Sequence, residues 1–327
     1  MKISVVIPVK NNADLLFKLI KNLLSQTLKP HEIIVVDDGS TNGSPEIAKE
    51  CGAKVLFTNG SKGPNFARSL GVRNSVGDII AFIDSDCVPS KDWIESLVKD
   101  FQEHPEVSIV AGTTVAANPD NFLARFLDCS LLTPTPKYKD YLLLKGDFNI
   151  GTIVATCNMA ILKHVFEKVG LFDPEYKHYG SDDMDFVYRA LRKGFIVLCS
   201  PRPLVRHYHR TTLSKVVKRY FQYGQGFAIF LKKHPRSTFS ISIVLMMTLL
   251  IGLLTLSLLI AFINPTASIL TLLLILLPLL IHHTHKILKE KRVEVLLYPL
   301  LDLILIIASI VGFLYMLLRK SPKSSPI

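Results

Sequence analysis

An apolar run that contains no charged residue, residues 241–263, restricts what this chain can fold into more than any other feature of the sequence. As a helix, the run is long enough to cross the roughly 30 Å hydrocarbon layer of a membrane. Asn264-Pro265-Thr266 breaks it, and further apolar stretches follow at 267–283 and 295–318. We therefore expect residues 237–327 to form a membrane domain with candidate transmembrane helices at 241–263, 267–283 and 295–318. A mean hydropathy of +0.34 agrees with this expectation.

Basic residues flank these candidate helices and predict their orientation. They are Lys232, Lys233 and Arg236 before the first candidate, and Lys286, Lys289, Lys291 and Arg292 after the second. Because Lys and Arg favour the cytoplasmic side, we expect residues 1–236 to be a cytoplasmic domain anchored at the cell (inner or plasma) membrane. The basic residues within 319–323 also favour the cytoplasm, which conflicts with three crossings, and Asp302 inside the third candidate is costly in lipid. Whether 295–318 spans the membrane therefore stays open.

Residues 1–236 alternate β-branched runs with helical patterns. The predicted strands are 3–9, 32–36, 54–57 and 78–84, and the predicted helices are 13–26, 64–75 and 91–102, with Ser90 as the cap of the last one. This alternation predicts an α/β fold with a doubly wound, mostly parallel sheet. In such sheets, ligands bind beyond the carboxyl ends of the strands.

Paired acids follow two of these strands. Asp37 and Asp38 end the second strand in IIVVDDGST, and Asp84 and Asp86 end the fourth in AFIDSDC. At spacing i, i+2, the side chains of Asp84 and Asp86 would lie on one side of an extended backbone. Neighbouring carboxylates repel each other unless something compensates, and a hard divalent cation that also binds a diphosphate does so. Asp is also common in turns, so a structural role for either pair stays open.

Five segments, taken in order, carry a resemblance to a known family. They are SVVIPVKN, IIVVDDGST, GPNFARSLG, GDIIAFIDSD and VGLFDPEYKHYGSDDMDFVYRALRKG. Together they resemble the family 2 glycosyltransferases, which have the nucleotide-sugar-binding GT-A fold, over about residues 1–210. The resemblance implies an enzyme that transfers a sugar from a nucleoside diphosphate to an acceptor hydroxyl, with inversion at the anomeric carbon.

The resemblance also implies which residues bind the donor and a metal ion. The implied donor-binding residues are Pro8, Val9, Asp37, Asp38, Arg68 and Asp84, and the implied ligands of Mn²⁺ or Mg²⁺ are Asp84, Asp86 and His207. A carboxylate at Asp38 can accept the imide N–H of uracil, which favours a UDP-sugar. Imidazole can bind Mn²⁺, although His207 in VRHYH can equally be a surface strand histidine.

The segment GSDDMD resembles the place where this family holds its catalytic base. Asp183 aligns with the catalytic Asp, and Asp182 replaces a Glu that faces the acceptor. Ser181 is a good N-cap, and acids in a first helical turn are stabilised by the helix dipole. That stabilisation is also the alternative explanation, because such acids need no catalytic role.

The stretch 213–236 is predicted to be a basic interfacial helix. It mixes Lys and Arg with Tyr and Phe just before the first apolar run, which suits an anionic membrane surface. An active site held against membrane lipids favours a lipid-linked or cell-envelope glycan acceptor. The net charge of +11 would also allow nucleic acid, but the sequence has no recognised binding module, so we expect no nucleic-acid partner.

Competing functions remain at this point. The sequence lacks the Q-x-x-R-W signature of processive polysaccharide synthases, which favours transfer of a single sugar. A catalytically inactive membrane scaffold with the same fold is the main alternative, although it would be free to lose acids that are present here. A receiver-type phosphoacceptor domain would not need the second acid pair or GSDDMD. The five scattered Cys form no C-x-x-C pair, so neither a disulfide framework nor a zinc cage is indicated.

Overall fold

The computed structural model of the chain describes residues 1–133, 135–149, 151–176, 180–290 and 292–319, apart from the side chains of 271, 272, 275 and 285–290. Within these residues, nine strands form one sheet in the order β3-β2-β1-β4-β8-β6-β9-β5, and β7 pairs with β9. The strands are β1 (Ile3–Val9), β2 (Glu32–Asp37), β3 (Lys54–Phe57), β4 (Ile79–Phe82), β5 (Cys87–Pro89), β6 (Ile109–Ala116), β7 (Leu142–Leu144), β8 (Met159–Leu162) and β9 (Val197–His207).

The sheet is parallel in its first half and mixed in its second. β3, β2, β1 and β4 pair in parallel, as the sequence predicts. β8 runs antiparallel to both β4 and β6. The cause is local: a 3₁₀ turn at Thr156–Asn158 brings the chain to the carboxyl end of β4, where Met159 pairs with Phe82. β8 therefore starts at the ligand-binding edge of the sheet and runs back from it.

Eleven helices accompany the sheet in the described part of the chain. They are α1 (Ala13–Leu24), α2 (Ser44–Glu50), α3 (Pro64–Arg73), α4 (Trp93–Glu103), α5 (Phe122–Cys129), α6 (Lys163–Val169), α7 (Asp182–Arg192), α8 (Leu213–Lys233), α9 (Thr238–Ile263), α10 (Pro265–Glu290) and α11 (Tyr298–Leu318). The predicted helices in 1–236 therefore exist, with ends shifted by at most three residues.

Both faces of the sheet are covered, because each strand sends alternate side chains to opposite sides. Val5 and Ile7 of β1 pack with α1 and α4 in one core, whereas Val6 packs with α3 and α7 in another. The second core continues through Phe230 of α8 and Phe239 of α9. The second core is therefore shared by the sheet and the C-terminal helices.

The predicted cap at Ser90 is wrong. The α4 helix starts at Trp93 and has Asp92 at its N-cap position, without a side-chain cap bond. Ser90 instead donates its backbone N–H to the carbonyl of Leu204 at 2.8 Å. This bond continues the antiparallel pairing of β5 with β9, so Ser90 belongs to the end of a strand.

The apolar C-terminal part forms helices at all three predicted stretches. α9 ends at Ile263 and α10 begins at Pro265, so the break at Asn264 is where the sequence places it. Two helical segments, Thr238–Ile263 and Val293–Leu318, are long and apolar enough to cross a membrane. They differ in packing: 44% of the apolar window of the second is buried within the protein, against 17% for the first.

α11 packs closely against α8 through small residues. A Cβ atom on Gly224 of α8 would lie 1.9 Å from the carbonyl oxygen of Ser309, and one on Gly312 of α11 would lie 2.0 Å from that of Phe221. Such close approach at small residues is typical of helix pairs in membranes. The glycines in the segment 222–226 are therefore packing residues.

Asp302, the acid inside the third apolar stretch, is fully buried in protein. It accepts hydrogen bonds from the hydroxyl of Ser130 after α5, from the backbone N–H of Leu131 at 3.3 Å, and pairs with Nε2 of His283 in α10 at 2.8 Å. An acid that is removed from water in this way needs such partners. The network links α10 and α11 to the sheet domain.

The predicted orientation of these helices is not decided by the described residues. The side chains of Lys286 and Lys289 and the whole of Lys291, Lys320 and Lys323 lie outside them. The predicted boundary between residues 236 and 237 lies in the short turn between α8 and α9.

Candidate active site

The carboxyl ends of β1 and β2 form the edge to which the sequence assigned the donor. Register places Val9 of β1 opposite Asp37 of β2, and the N–H of Asp38 donates to the carbonyl of Val9 at 2.9 Å. The side chain of Val9 is buried in the core beside α1, so at this position only its backbone can face a ligand. Pro8 is half-buried at the same edge.

Asp37 and Asp38 shape the loops of this edge. Asp37 accepts N–H bonds from Gly39 and Ser40, both at 3.1 Å, and Gly39 has a φ of +83°, which favours glycine. Asp38 accepts from the hydroxyl of Thr58 at 2.7 Å and from the backbone N–H groups of Lys62 and Gly63. Asp38 thereby holds residues 58–63 against the strand end. Its contact with a nucleotide stays a prediction.

Arg68 of α3 connects the donor edge to the start of α7. Its guanidinium bonds the carboxylate of Asp84 at 2.8 Å and that of Asp182 at 3.2 Å, with only 3% of the arginine side chain exposed. Burial by itself lowers the pKa of Arg68, but Asp84 and Asp182 together raise it above its ordinary value. Arg68 is therefore a charged clamp between two acids that lie 98 residues apart in the sequence.

Asp183 occupies the first turn of α7. Ser181 precedes the helix in a left-handed conformation, with φ of 60°, and its hydroxyl caps no backbone N–H, so the predicted capping bond is wrong. N-cap side chains usually act from an extended backbone, which explains the failure. The carboxylate of Asp183 accepts the N–H of Met184 at 2.9 Å.

The protonation of Asp183 is set by its surroundings. Removal from water, and then the neighbouring carboxylate of Asp182, raise the pKa of Asp183 to about 7, against the opposing effect of Arg68. A carboxyl group with a pKa near neutrality is well matched to accepting a proton in a reaction.

Asp185, the third acid of this turn, has a different role. It is 1% exposed and bonds Nε of Arg189 at 2.8 Å, Nε2 of His234 at 2.8 Å and the hydroxyl of Tyr176 at 3.3 Å. Burial opposes ionisation, yet His234 and Arg189 hold the pKa of Asp185 below its ordinary value. Asp185 is therefore a structural acid that ties α7 to the end of α8.

A candidate cation site lies where β5 meets the end of β9. Oδ1 of Asp86 is 3.4 Å from Nε2 of His207, and ligand atoms of Asp86, Cys87 and His207 all lie within 4.8 Å of one another. Nδ1 of His207 is buried and has no hydrogen-bond partner among the described residues. A carboxylate and an imidazole so placed fit a divalent cation such as Mn²⁺.

Asp84 does not join this cluster. β4 ends at Phe82, and the chain then turns, with the N–H of Cys87 donating to the carbonyl of Asp84. The expectation that Asp84 and Asp86 share one side of an extended strand is therefore wrong. Asp84 bonds Arg68 and Asp86 lies beside His207. The assignment of Asp84 as a metal ligand stays a prediction.

A cavity of about 440 Å³ lies beside Arg68, the start of α7 and His207. The charged and imidazole side chains that line it are Arg68, Asp84, Asp182, Asp183, His207, His209, Arg210 and Arg219. Its remaining walls come largely from apolar residues of α5, α8, α9 and α11. Asp84, Asp182 and Asp183 thus face one space, which the C-terminal helices help to close, whereas Asp37, Asp38 and Asp86 are not among its lining residues.

Sequence reasoning missed two parts of this site. Cys87 joins the cation cluster, and its cross-strand pairing with His207 could be inferred only once β5 was recognised. The loop before α7 rests directly on α8: a Cβ atom on Gly226 would lie 2.2 Å from the carbonyl oxygen of Gly180. The sequence signal for this contact is the pair of glycines within 222–226, because glycine is otherwise unfavourable inside a helix.

Comparison with known proteins agrees with this geometry. Residues 4–170 match the model of glycosyl transferase family 2. The "Pre-mycofactocin glycosyltransferase" of Mycobacterium tuberculosis is 32% identical over 241 residues, which are 72% of this chain and 49% of that protein. A "Dolichyl N-acetyl-alpha-D-glucosaminyl phosphate 3-beta-D-2,3-diacetamido-2,3-dideoxy-beta-D-glucuronosyltransferase" of Methanococcus voltae is 23% identical over 243 residues, 71% of this chain and 74% of that one.

A solved structure extends the likeness to the C-terminal helices. The mannosyltransferase PcManGT from Pyrobaculum calidifontis, in complex with GDP-Man and Mn²⁺, superposes with a TM-score of 0.61 at 18% identity. The match covers 96% of this chain and 87% of that one.

The sheet order, the acids at its carboxyl edge and the helix start at Asp182 define a GT-A domain. The chain belongs to glycosyl transferase family 2. It spans about half the length of the mycobacterial relative that it matches.

Proposed function

We propose that this chain is a membrane-anchored inverting glycosyltransferase. It moves a single sugar from a nucleotide-diphosphate sugar, with a UDP-sugar favoured, to a hydroxyl of a lipid-linked or cell-envelope glycan acceptor. The observation that carries the proposal is the position of Asp183, whose carboxyl group has a pKa near 7 and lines a cavity shared with Asp84 and Arg68.

Asp183 acts as the general base in this proposal. The acceptor oxygen forms a bond to the anomeric carbon, the bond from that carbon to the donor phosphate oxygen breaks, and its electron pair leaves with the nucleoside diphosphate. The acceptor proton moves to a carboxylate oxygen of Asp183. General-base catalysis of this kind contributes about 10²–10⁴-fold to the rate.

Asp182 and Arg68 position this base. Asp182 bonds Arg68, and its other oxygen accepts the N–H of Gly180 at 3.4 Å. The charge of Asp182 raises the pKa of Asp183, so the pair keeps the base matched to neutral pH. Asp182 is assigned to the acceptor side because its bond with the N–H of Gly180 fixes the loop that would face the acceptor.

Asp86 and His207 would hold Mn²⁺ or Mg²⁺, with Asp84 nearby in the chain. When bound, such an ion neutralises charge that develops on the departing diphosphate. Asp86 is partly exposed, with 37% of its side chain accessible, so its second oxygen is open to a ligand. Asp38, with Pro8, Val9 and Asp37, lines the edge where the nucleotide would bind.

Anchoring rests on the C-terminal helices. The proposed arrangement has residues 1–236 in the cytoplasm, α8 at the membrane surface and α9 with α10 as a membrane hairpin in the cell membrane. α11 is packed on α8, so the proposed membrane hairpin consists of α9 and α10 alone. Protease added to sealed, right-side-out cells should leave the N-terminal domain intact, and its digestion there would contradict this orientation.

An inactive scaffold is the second candidate. It would need no base with a pKa near 7, and Asp182, Asp183 and Arg68 could then be replaced without loss. The deciding experiment incubates the full-length protein with UDP-sugars and GDP-sugars plus Mn²⁺, with and without a lipid extract, and measures released nucleoside diphosphate. Acceptor-dependent release supports the enzyme; no release with any donor, from protein that binds the nucleotide, supports the scaffold.

A further inference from the structure

Part of the wall of the cavity beside Asp183 is apolar, and the sugar transfer does not need it. This part, called the apolar half below, comes from three C-terminal helices: Phe227 of α8, Phe239, Met246, Met247 and Leu250 of α9, and Ile306 of α11. A sugar acceptor alone would call for polar walls, because its hydroxyl groups lose hydrogen bonds when they are buried against apolar side chains. The apolar half therefore fits a different part of the substrate.

One face of α9 is turned to this half of the cavity. Its residues Phe239, Met246, Met247 and Leu250 recur at helical spacing, so they lie on one side of the helix. Met247 is 4% exposed, whereas Leu249, on the other side, is 63% exposed. The unbranched thioether side chains of the two methionines adapt readily to a flexible apolar ligand.

The face of α8 along the cavity changes from charged to apolar. Arg219, Tyr223 and Phe227 follow one another at spacing i, i+4, i+8, which places them in a row about 6 Å apart. Arg219 stacks on the ring of Tyr223 at 5.1 Å. Arg219 and Arg210 thus add positive charge to the lining of the cavity.

We propose that the apolar half binds the chain of the acceptor, and that the acceptor is a hydroxyl-bearing group esterified to a long-chain lipid phosphate. The phosphate lies by Arg219, the chain lies among Phe227, Met247 and Ile306, and the hydroxyl reaches Asp183. Since α8, α9 and α11 form these walls, the chain enters from the membrane side. The reaction step rests on the proposed function, but binding of the lipid does not.

The test uses a dodecyl phosphate that carries a photoreactive diazirine at the end of its chain. Full-length protein in nanodiscs is irradiated without donor or metal, and labelled residues are mapped by mass spectrometry. We expect labelling on α9 and α11 near Met247 and Ile306, and competition by unlabelled dodecyl phosphate but not by inorganic phosphate. Equal competition by dodecanol would overturn the assignment of a phosphate group.

Cavity-filling variants provide the control. Met247→Trp should fill the apolar half and lower specific labelling at least tenfold, and Leu250→Trp, at a half-buried position, is a milder second variant. Leu249→Trp, on the outer side of α9, should label like the wild type. Equal labelling of all three variants by protein that still binds nucleotide would overturn the inference.

Two outcomes separate this inference from the proposed function. Labelling as expected in a protein that transfers no sugar from any donor would support the lipid site and refute the enzyme. Transfer to a soluble acceptor that is unaffected by Met247→Trp, together with labelling that avoids α9, would support the enzyme and overturn the lipid site.

Discussion

The donor edge and the acceptor side of this site are built in different ways. At the donor edge, Asp37 and Asp38 bond backbone groups within about 25 residues along the chain. On the acceptor side, Asp182 depends on Arg68, which lies 114 residues away, and the loop before it rests on Gly226 of α8. The difference teaches that the edge predicted to bind the nucleotide is encoded locally, whereas the proposed catalytic turn depends on the docking of distant helices.

The largest expected effect comes from removing the base. Asp183→Asn keeps the shape of the side chain, so nucleotide binding and folding should be near normal, while transfer falls at least about 100-fold because the proton acceptor is lost. Asp185→Asn is the matched control: it should lower the melting temperature, because it weakens the contacts to Arg189 and His234, and leave turnover of the folded protein largely intact. Rate assays and calorimetry on both variants check this, and wild-type turnover by Asp183→Asn would contradict it.

The next largest effect, a loss of metal-dependent nucleotide affinity, is expected for Asp86→Ala. The variant removes a carboxylate of the cation cluster, so metal-dependent UDP or GDP affinity should fall at least about tenfold with the fold intact. Titration calorimetry with and without Mn²⁺ measures the effect, and Asp140→Ala, at an exposed acid, is the control. Unchanged metal-dependent affinity would remove Asp86 from the site.

A smaller effect is expected where α8 supports the catalytic loop. In Gly226→Ala the new Cβ would lie 2.2 Å from the carbonyl of Gly180, so the loop must shift and Asp183 with it. We expect kcat to fall about tenfold while nucleotide affinity is retained, because positioning errors act on the chemical step. Gly252→Ala on α9, where nothing lies within 4 Å, should behave as the wild type. Equal kinetics in the two variants would show that α8 does not position the base.

The same contrast explains how far the sequence could predict this protein. β1, β3 and the helices α1, α3 and α4 follow from periodicity, because their pattern is local, whereas the short helix α2 was not predicted. The antiparallel entry of β8 and the role of Cys87 could not be predicted, since both depend on a turn and a strand pairing that leave no periodic signal. The partners of Asp302 were also hidden, because Ser130 and His283 are distant in the sequence.

The acids show this limit most clearly. The sequence treats Asp182, Asp183 and Asp185 alike, as three carboxylates in a first helical turn. The structure separates them by partner: Arg68 for Asp182, Arg189 and His234 for Asp185, and a backbone N–H for Asp183. Family resemblance singled out Asp183, and the geometry supplies a physical reason for that choice.

The pH dependence of kcat/KM tests the central claim, that Asp183 is a base tuned by its buried neighbours, most directly. The raised pKa means that the free enzyme holds its active, deprotonated form mainly above about pH 7. We therefore predict that kcat/KM is about tenfold lower at pH 6 than at pH 8, with a plateau on the alkaline side, and that Asp183→Asn loses this dependence. A wild-type profile that is flat from pH 5 to 8, or an unchanged profile in Asp183→Asn, would contradict the account.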